Sequence, residues 1–305
     1  MKKIVNIDSI HQAHSLLGLA KPKHPLITCI KSNEYEANST FDNVRIVMSL
    51  YQNTLKSSNY KGAIKYGKNS YDYDEGTLIF VAPEQAMEYG NDLKNDNDGL
   101  DGWTLVFHPD LIRKHDLVDK IHQYSFFNYE ISEALHLSDE ERKIIEEVIA
   151  KIVYEYSQRL DKHSQNLIVS NIELLLDYCL RFYDRQFLTR TNVNSDIVSG
   201  FNKILNGYYQ SKKHHDLGLP TVKYCGKQLK ISPNYLSDLL KKETGKSAQE
   251  HIHLFIIEKA KNTLLNSSES ISKIGYSLGF EYPQHFSNLF KSKTGSSPKE
   301  YRNLN

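Results

Sequence analysis

Apolar residues in the last third of the chain recur at helical spacing in two stretches, and each stretch predicts a pair of helices. The first helical face of each stretch follows i, i+3, i+4, i+7 spacing: Val222, Cys225, Gly226 and Leu229, and then Ile271, Ile274, Gly275 and Leu278. After a short break a second apolar face follows: Leu236, Leu239 and Leu240, and correspondingly Phe286, Leu289 and Phe290. Each stretch ends on Thr-Gly, at Gly245 and Gly295, where glycine can close a helix in the left-handed conformation. The pattern predicts helix, turn, helix twice.

The two stretches are copies of one unit. "CGKQLKISPNYLSDLLKKETG" (225–245) and "IGYSLGFEYPQHFSNLFKSKTG" (274–295) align at an offset of 49 residues before the turn and 50 after it, and a turn tolerates such an insertion. In the first copy Ser232 is the predicted N-cap and Pro233 the first helical residue. Gly226 and Gly275 lie inside a helix, where glycine costs roughly 1 kcal/mol against alanine. We interpret them as points where the second helix crosses the first closely.

The second helix of each copy carries polar side chains on the face opposite its apolar residues. They are Asn234, Ser237, Asp238 and Lys241, and in the other copy Gln284, Ser287, Asn288 and Lys291. Amides and hydroxyls can read base edges in a major groove, and lysines further along can meet phosphates. Two such helices, separated by a helix predicted over residues 248–266, can enter successive groove segments about 34 Å apart. A generic helical bundle or a repeat array is the alternative, which the apolar pattern alone leaves at about even odds.

The distribution of charge favours DNA binding over that alternative. The chain of 305 residues has a formal net charge of only +1. Residues 200–305, however, hold 16 Lys and Arg against 8 Asp and Glu, a net of +8, whereas residues 1–199 hold 22 against 29, a net of −7. Such asymmetry is expected when one domain alone approaches a polyanion. The sequence therefore predicts double-stranded DNA as a partner of the C-terminal third.

With these features, residues 196–305 resemble the DNA-binding region of the AraC/XylS family of bacterial transcription regulators. The resemblance rests on LGF, F..LFK and TG in the second copy and on the closing P..YR (Pro298, Tyr301, Arg302). It departs at Gly226 and Gly275, where the family more often has alanine. It implies a sequence-specific regulator, expected to be an activator that also contacts RNA polymerase. The implied base-reading residues are Asn234, Ser237, Asp238, Gln284, Ser287 and Asn288. Asp238 also suits a capping or cytosine-reading role.

Ahead of this region, from about Phe41, short β-rich runs are separated by Gly, Asn and Asp. We predict a multidomain α+β protein with an N-terminal arm (1–40), a small antiparallel barrel or sandwich (41–135), a helical region (136–187), a linker (188–198) and a DNA-binding domain (199–305). By order and length the barrel resembles the cupin-like sensor domain of many AraC-type proteins. That resemblance implies a small-molecule effector, such as a sugar or an aromatic metabolite. Arg45, Tyr51 and Tyr66 are predicted walls of its pocket.

The helical region opens with a predicted capping box at Ser138 and Glu141. Its first helix and a second one over residues 166–187 carry wide apolar stripes. Packing on each other and on the barrel explains most of these positions. The family resemblance implies that part of the pair also forms a homodimer interface. Residues 188–198 are rich in Thr, Asn and Ser without apolar periodicity, which predicts the interdomain linker.

A cupin-fold enzyme is one alternative function, and a non-sensing dimerisation domain fused to the DNA-binding module is another. The paired-histidine metal pattern of cupin enzymes is missing between Phe41 and Pro109, and no nucleophile elbow, P-loop or dinucleotide fingerprint occurs. His251 and His253 would point apart on a helix, and His214-His215 is predicted to be a solvated pair in a loop. We therefore expect no catalytic residues, metal or cofactor.

The cysteines and the apolar runs indicate where the protein resides. Cys29, Cys179 and Cys225 fit neither a disulfide framework nor a CxxC metal pattern, and the last two are expected to be buried hydrophobes. The start of the chain does not match a signal peptide, and no run of about 18 apolar residues occurs. We expect a cytoplasmic protein with no membrane contact.

Overall fold

The computed structural model describes residues 3–34, 44–56, 76–88, 102–130 and 133–304. The chain divides into two compact units, Met1–Thr189 and Arg190–Asn305. Within the described residues the first unit contains the strands and the second is helical. The division falls inside the segment 188–198 that the sequence assigned to a linker.

Eight strands in the described residues form two sheets. They are β1 (Lys3–Ile7), β2 (Ile27–Lys31), β3 (Val44–Met48), β4 (Tyr51–Lys56), β5 (Thr77–Val81), β6 (Ala86–Glu88), β7 (Trp103–Phe107) and β8 (Leu135–His136). The smaller sheet has the order β1-β3-β6, with β1 and β3 parallel. The larger has the order β2-β7-β4-β5-β8, and its neighbours are all antiparallel. The parallel pair corrects the expectation of a purely antiparallel barrel, and the described residues do not show the two sheets closing into a barrel.

Residues 1–40, predicted to be an N-terminal arm, instead supply strands to both sheets. β2 pairs with β7 along its whole length, from Ile27↔Phe107 to Lys31↔Trp103. Ile27 and Thr28, which point to opposite faces of this strand, are both buried. Because both faces are covered, β2 lacks the alternation of apolar and polar residues that reveals a half-exposed strand. That absence explains why the sequence pattern missed it.

The larger sheet has an aromatic face and an opposite face turned toward the smaller sheet. On the aromatic face, Tyr51 stacks on Phe107 with ring centroids 5.0 Å apart and meets Phe127 edge-on at 5.2 Å. On the opposite face, Val106 belongs to a buried cluster with Ile46 of β3. The larger sheet therefore separates two layers of the core.

Four α-helices lie in the described residues of the first unit: α1 (Ile10–Leu16), α2 (Leu117–Lys120), α3 (Asp139–Ser157) and α4 (Ser164–Thr189). The capping box predicted for α3 is confirmed: Ser138 Oγ accepts from Glu141 N at 3.2 Å, and Glu141 Oε2 accepts from Ser138 N at 3.0 Å. α3 and α4 pack against each other, with Ile145 and Ile172 fully buried. The predicted packing of this pair is confirmed.

Residues 188–198, predicted to be the interdomain linker, are helical except at Arg190. α4 continues to Thr189 and α5 (Thr191–Gln210) begins two residues later. The apolar stripe of α5 becomes clear only at Phe201, which is fully buried. In the first turn of α5 the buried position is occupied by a polar residue, Asn194, whose Nδ2 donates to Glu243 Oε1 at 2.6 Å. A buried asparagine breaks the apolar pattern from which a helix is predicted.

The second unit consists of α5 and seven further helices: α6 (Lys213–Leu217), α7 (Val222–Leu229), α8 (Pro233–Thr244), α9 (Ala248–Asn266), α10 (Ile271–Ser277), α11 (Pro283–Thr294) and α12 (Pro298–Leu304). The expectation that His214 and His215 form a solvated pair in a loop is wrong. Both residues lie in α6, and His214 is buried with its ring stacked on that of Tyr209, the ring centroids lying 4.5 Å apart. Cys225 is buried, as is Cys179 of the first unit, as predicted. In the part of the chain that the structure describes, no helix is long and apolar enough to cross a membrane.

Candidate nucleic-acid interface

The first predicted helix-turn-helix consists of α7 and α8. In the turn between them, Lys230 adopts the left-handed conformation with φ 60°, and Ile231 N donates to Gly226 O at 3.0 Å. Ser232 caps α8 by accepting from Tyr235 N at 3.1 Å, and Gly245 ends it with φ 76°. The predicted cap, turn and stop are confirmed.

The second helix-turn-helix consists of α10 and α11, and its turn is held by residues that the sequence pattern did not identify. Gly279 has φ 98°, and a Cβ there would lie 3.1 Å from His214 O. Tyr209 of α5 donates its buried hydroxyl to Leu278 O at 3.1 Å. The turn thus packs against α5 and α6 closely enough to require glycine at residue 279.

The two mid-helix glycines lie where the helices of each pair cross. A Cβ at Gly226 would lie 2.7 Å from Ile231 O in the turn, closer than real Cβ contacts come. A Cβ at Gly275 would lie 3.4 Å from Phe286 Cβ in α11, an ordinary contact distance. A close approach is therefore found at Gly226, against the turn of the first helix-turn-helix, whereas at Gly275 a methyl group would fit against α11.

α9 connects the two helix-turn-helix units, as predicted from its sequence. It opens with a capping box in which Ser247 Oγ accepts from Glu250 N and Glu250 Oε2 accepts from Ser247 N. Its buried residues include Ile252, Ile256 and Leu264. α9 packs against α7 and α8 on one side of the repeat and against α10, α11 and α12 on the other. α9 therefore contacts the second helix of each helix-turn-helix, α8 in the first and α11 in the second.

The eight predicted DNA-contacting residues lie on the outer sides of α8 and α11. The exposed ones are Asn234, Lys241, Gln284, Asn288 and Lys291, and the half-buried ones are Ser237, Asp238 and Ser287. On the opposite side of each helix the apolar residues are buried, for example Leu236 and Phe286. Each helix thus presents amide, hydroxyl and ammonium groups on the side that its own core leaves open. Asp238 takes part in an interaction within the protein, so only part of its carboxylate is available for reading.

The structure adds two aromatic residues to the start of α11 that the apolar pattern did not suggest. Tyr282 is 49% exposed and His285 is exposed, and their rings meet edge-on at 5.5 Å. A hydrogen bond to Glu281 raises the pKa of the Tyr282 hydroxyl. Both residues flank Gln284 at the N-terminal end of the helix, the end that approaches bases in helix-turn-helix proteins.

The predicted effector pocket is not assembled by the described residues. Arg45 is exposed on β3, whereas Tyr51 is half-buried among the rings of the larger sheet. Tyr66 lies outside the described residues. The described residues therefore do not support a pocket shared by Arg45 and Tyr51.

Two other features of the first unit could hold a small molecule. The face of β4 turned toward the smaller sheet carries a polar row, in which Gln52 Nε2 donates to Thr54 Oγ1 at 2.9 Å and Thr54 Oγ1 lies 3.2 Å from Thr104 Oγ1. Between β2 and α3 lies a groove of about 920 Å³ whose lining includes Trp103 and Tyr156. The indole Nε1 of Trp103 is buried, and none of the described residues accepts a hydrogen bond from it.

Comparison with known proteins agrees with this geometry. Residues 225–304 match the family model described as "Helix-turn-helix domain". The uncharacterized HTH-type transcriptional regulator YobQ of Bacillus subtilis is 35% identical over 83 residues, 27% of this chain and 34% of that protein. The HTH-type transcriptional activator RhaS of Escherichia fergusonii is 38% identical over 72 residues, 24% of this chain and 26% of that protein. The C-terminal domain of AraT, a response regulator from Geobacillus stearothermophilus, is 31% identical, covers 33% of this chain and 85% of that structure, and gives a TM-score of 0.29.

The second unit is therefore a DNA-binding domain built from two helix-turn-helix units. More particularly, residues 225–304 are a helix-turn-helix domain of the AraC type, as the sequence motifs predicted. The chain spans about a third or less of the length of these curated relatives.

Proposed function

We propose that this protein is a sequence-specific DNA-binding transcription regulator, active in the cytoplasm as a homodimer, whose first unit senses a small molecule. The observation that carries the DNA-binding part is the repeated polar face of α8 and α11 in a domain of net positive charge. Each face lies on a helix that ends at a glycine in the left-handed conformation, and the two helices are connected through α9. The regulatory consequence is a ligand-dependent change in DNA affinity, which requires linkage and no catalysis.

Within this proposal the side chains divide into two roles. Gln284 and Asn288 read base edges, whereas Lys291, three residues further along α11, neutralises phosphate. Losing a reading side chain should cost about 1–3 kcal/mol on the preferred sequence and relax selection at one position. Losing a phosphate contact should weaken all sequences alike and reduce the salt slope by about one.

The test compares the preferred duplex, selected by the full-length protein from a random library, with a scrambled duplex. Binding of Gln284→Ala, Asn288→Ala and Lys291→Ala is measured by fluorescence anisotropy over a range of salt concentrations. Lys114→Ala removes an exposed charge from the first unit and serves as a matched control. Equal losses on both duplexes for all three variants would contradict the division into reading and phosphate roles.

The sensing part of the proposal rests on the polar row and the groove of the first unit, which we interpret as a cupin-like sensor domain. A sugar would find hydroxyl and amide partners along Gln52, Thr54 and Thr104, and a flat aromatic metabolite would suit the Trp103 groove. "Xylose operon regulatory protein" is the name of an Escherichia coli relative that is 35% identical over 75 residues, 19% of that protein. A ligand at 100 times its Kd should stabilise the full-length protein by about 2.7 kcal/mol.

That stabilisation can be measured by thermal unfolding with a panel of sugars and aromatic acids. Trp103 is the single tryptophan of the chain, so a ligand in the groove should also change its fluorescence, whereas one on the polar row should not. No stabilisation by any compound would favour the alternative of a dimerisation domain without a sensing role. A compound that is converted to product would favour the cupin-fold enzyme. In the described residues no group of three or more His, Cys, Asp or Glu side chains is placed to hold a metal.

The homodimer rests on the outer face of α4. Leu167 and Leu174 lie two turns apart on this face and are 46% and 40% exposed. Apolar residues repeated at this spacing on an exposed helix are typical of helix packing between subunits. Light scattering should give a dimer for the full-length protein and a shift toward monomer for the double substitution Leu167→Lys, Leu174→Lys. A monomeric wild-type protein at tens of micromolar would contradict the proposal.

Activation through contact with RNA polymerase is a further part of the proposal, which in vitro transcription on the selected duplex would test.

A further inference from the structure

The recognition helices α8 and α11 contain no arginine, and the second unit has only two, Arg190 and Arg302. Both are held inside the domain. Arg190 is 8% exposed. Arg302 donates from Nε to Leu264 O at 3.2 Å, and its Nη2 atom is buried. Neither guanidinium is therefore positioned on the DNA-reading faces. The side chain that most often reads guanine in the major groove is thus missing from these faces.

The side chains that are present suit a different base. A carboxamide can donate to adenine N7 and accept from adenine N6 at the same time, so asparagine and glutamine pair with adenine in two hydrogen bonds. Gln284 and Asn288 are both exposed on α11, four residues apart, which places them about 6 Å apart along the helix axis. Base pairs are stacked about 3.4 Å apart. The two amides therefore reach base pairs that are close neighbours in one groove segment.

The lysines of these helices lie at the other end. Lys291 is seven residues, or about 10 Å, beyond Gln284 along α11. It lies in the last turn of the helix, where the phosphate backbone is the nearer target. Guanine reading by lysine is therefore not expected at the positions that Gln284 faces.

The two copies differ at one position that decides how many adenines each reads. Asn234 corresponds to Gln284, and Asp238 corresponds to Asn288. A carboxylate accepts hydrogen bonds but cannot donate to adenine N7. Asp238 therefore lacks half of the adenine pattern that Asn288 provides.

We propose that α11 reads two closely spaced adenines, through Gln284 and Asn288, and that α8 reads one, through Asn234. This inference rests on the proposed DNA-binding function. It predicts an asymmetric target in which the segment bound by α11 is richer in A·T pairs than the segment bound by α8.

The first experiment selects duplexes from a random library with the full-length protein and with Asn288→Arg. The wild-type selection should contain two adenines in one segment, and Asn288→Arg should replace one of them by guanine, because an arginine pairs with guanine O6 and N7. Asn266→Arg at the end of α9 adds the same charge at an exposed position outside α8 and α11. This control should leave the selected sequence unchanged. A wild-type preference for G·C at the position that Asn288→Arg alters would overturn the inference.

The second experiment replaces each selected adenine by 7-deazaadenine, which lacks the N7 acceptor but pairs normally with thymine. Binding should weaken about tenfold at each of the three adenines, and Gln284→Ala should abolish the effect at one of them only. Unchanged binding to all the 7-deaza duplexes would overturn the inference while leaving DNA binding intact. Failure of the wild-type protein to retain any duplex would instead contradict the proposed function itself.

Discussion

Replacing Gly226 and Gly275 by alanine, one at a time, should change the stability of the second unit in opposite directions. Both glycines lie inside the first helix of a helix-turn-helix and have ordinary helical backbone conformations. Alanine is favoured over glycine in a helix by roughly 1 kcal/mol. The opposite signs of the two expected stability changes must therefore come from the space around each added methyl group.

At Gly275 the methyl group has room. Its nearest neighbours are Cβ and Cδ1 of Phe286, both at 3.4 Å, so it fills space at the crossing of α10 and α11 without displacing backbone. Most of the helix-propensity gain should be retained. We expect Gly275→Ala to stabilise the second unit by about 0.5–1 kcal/mol.

At Gly226 the methyl group would lie 2.7 Å from the backbone oxygen of Ile231. That oxygen cannot move freely, because Ile231 N is itself bonded to Gly226 O at 3.0 Å and Ser232 caps the following helix. Forcing a methyl group into such a contact costs about 1–3 kcal/mol, which exceeds the propensity gain. We expect a net loss of about 1 kcal/mol and, because the turn positions α8, weaker DNA binding.

Urea unfolding of the full-length protein can measure both effects. Far-UV circular dichroism follows the helices, including all of the second unit, whereas fluorescence of Trp103, the single tryptophan, follows only the first unit. The substitutions should shift a circular dichroism transition and leave the tryptophan transition unchanged. If both variants lost stability to the same extent, the reasoning from Cβ distances would be refuted.

Three further predictions concern protonation, helix capping and thiol reactivity. Burial lowers the pKa of His214, and the nearby positive charges of His215 and Lys259 lower it further. As the pH falls, the unfolded chain therefore takes up a proton at this residue before the folded protein does. The contribution of His214 to the free energy of unfolding is complete above pH 6.5 and is lost as the pH falls below that value. Urea unfolding at pH 7.5 and 5.5 should show this loss, with a smaller difference in His214→Gln; an unchanged difference would exclude His214 as its source. Ser138→Ala removes the cap of α3 and should lower the stability reported by Trp103 by about 1 kcal/mol, whereas Ser292→Ala in α11 should leave it unchanged; equal shifts would contradict the capping role. Burial raises the pKa of all three cysteine thiols, to about 12 for Cys29 and about 11 for Cys225. A thiol reagent should therefore react slowly with the native protein and should titrate three thiols in urea. Rapid labelling of the native protein would contradict this prediction, because it would show that the thiols are accessible.

The parts of the fold that sequence predicted best are those in which apolar residues alone occupy the buried face. α8 is an example, because Leu236, Leu239 and Leu240 mark its inner side and Ser232 marks its start. The start of α5 was missed because Asn194 occupies a buried position there, where its Nδ2 donates to Glu243, a partner 49 residues away. Local periodicity carries no information about such a long-range hydrogen bond.

The same limit applies to the candidate sites. The polar faces of α8 and α11 could be predicted, because a helix face is defined by spacing within one segment. The surroundings of Tyr51 could not, because the alternation of a strand gives two faces without saying which one a partner sheet covers. Tyr51 and Gln52 are neighbours in sequence, yet Tyr51 packs among aromatic rings and Gln52 begins the polar row on the other side.

The helix that begins inside the predicted linker contacts both helix-turn-helix units. α5 begins two residues after the last residue of α4. Near its start, Asn194 bonds to Glu243 of α8 at 2.6 Å, and near its end, Tyr209 bonds to Leu278 in the second turn at 3.1 Å. One rigid helix thus fixes elements of both helix-turn-helix units, over a span of about 22 Å. A movement of α5 would therefore act on α8 directly, through Glu243, and on the second helix-turn-helix through the turn that precedes α11.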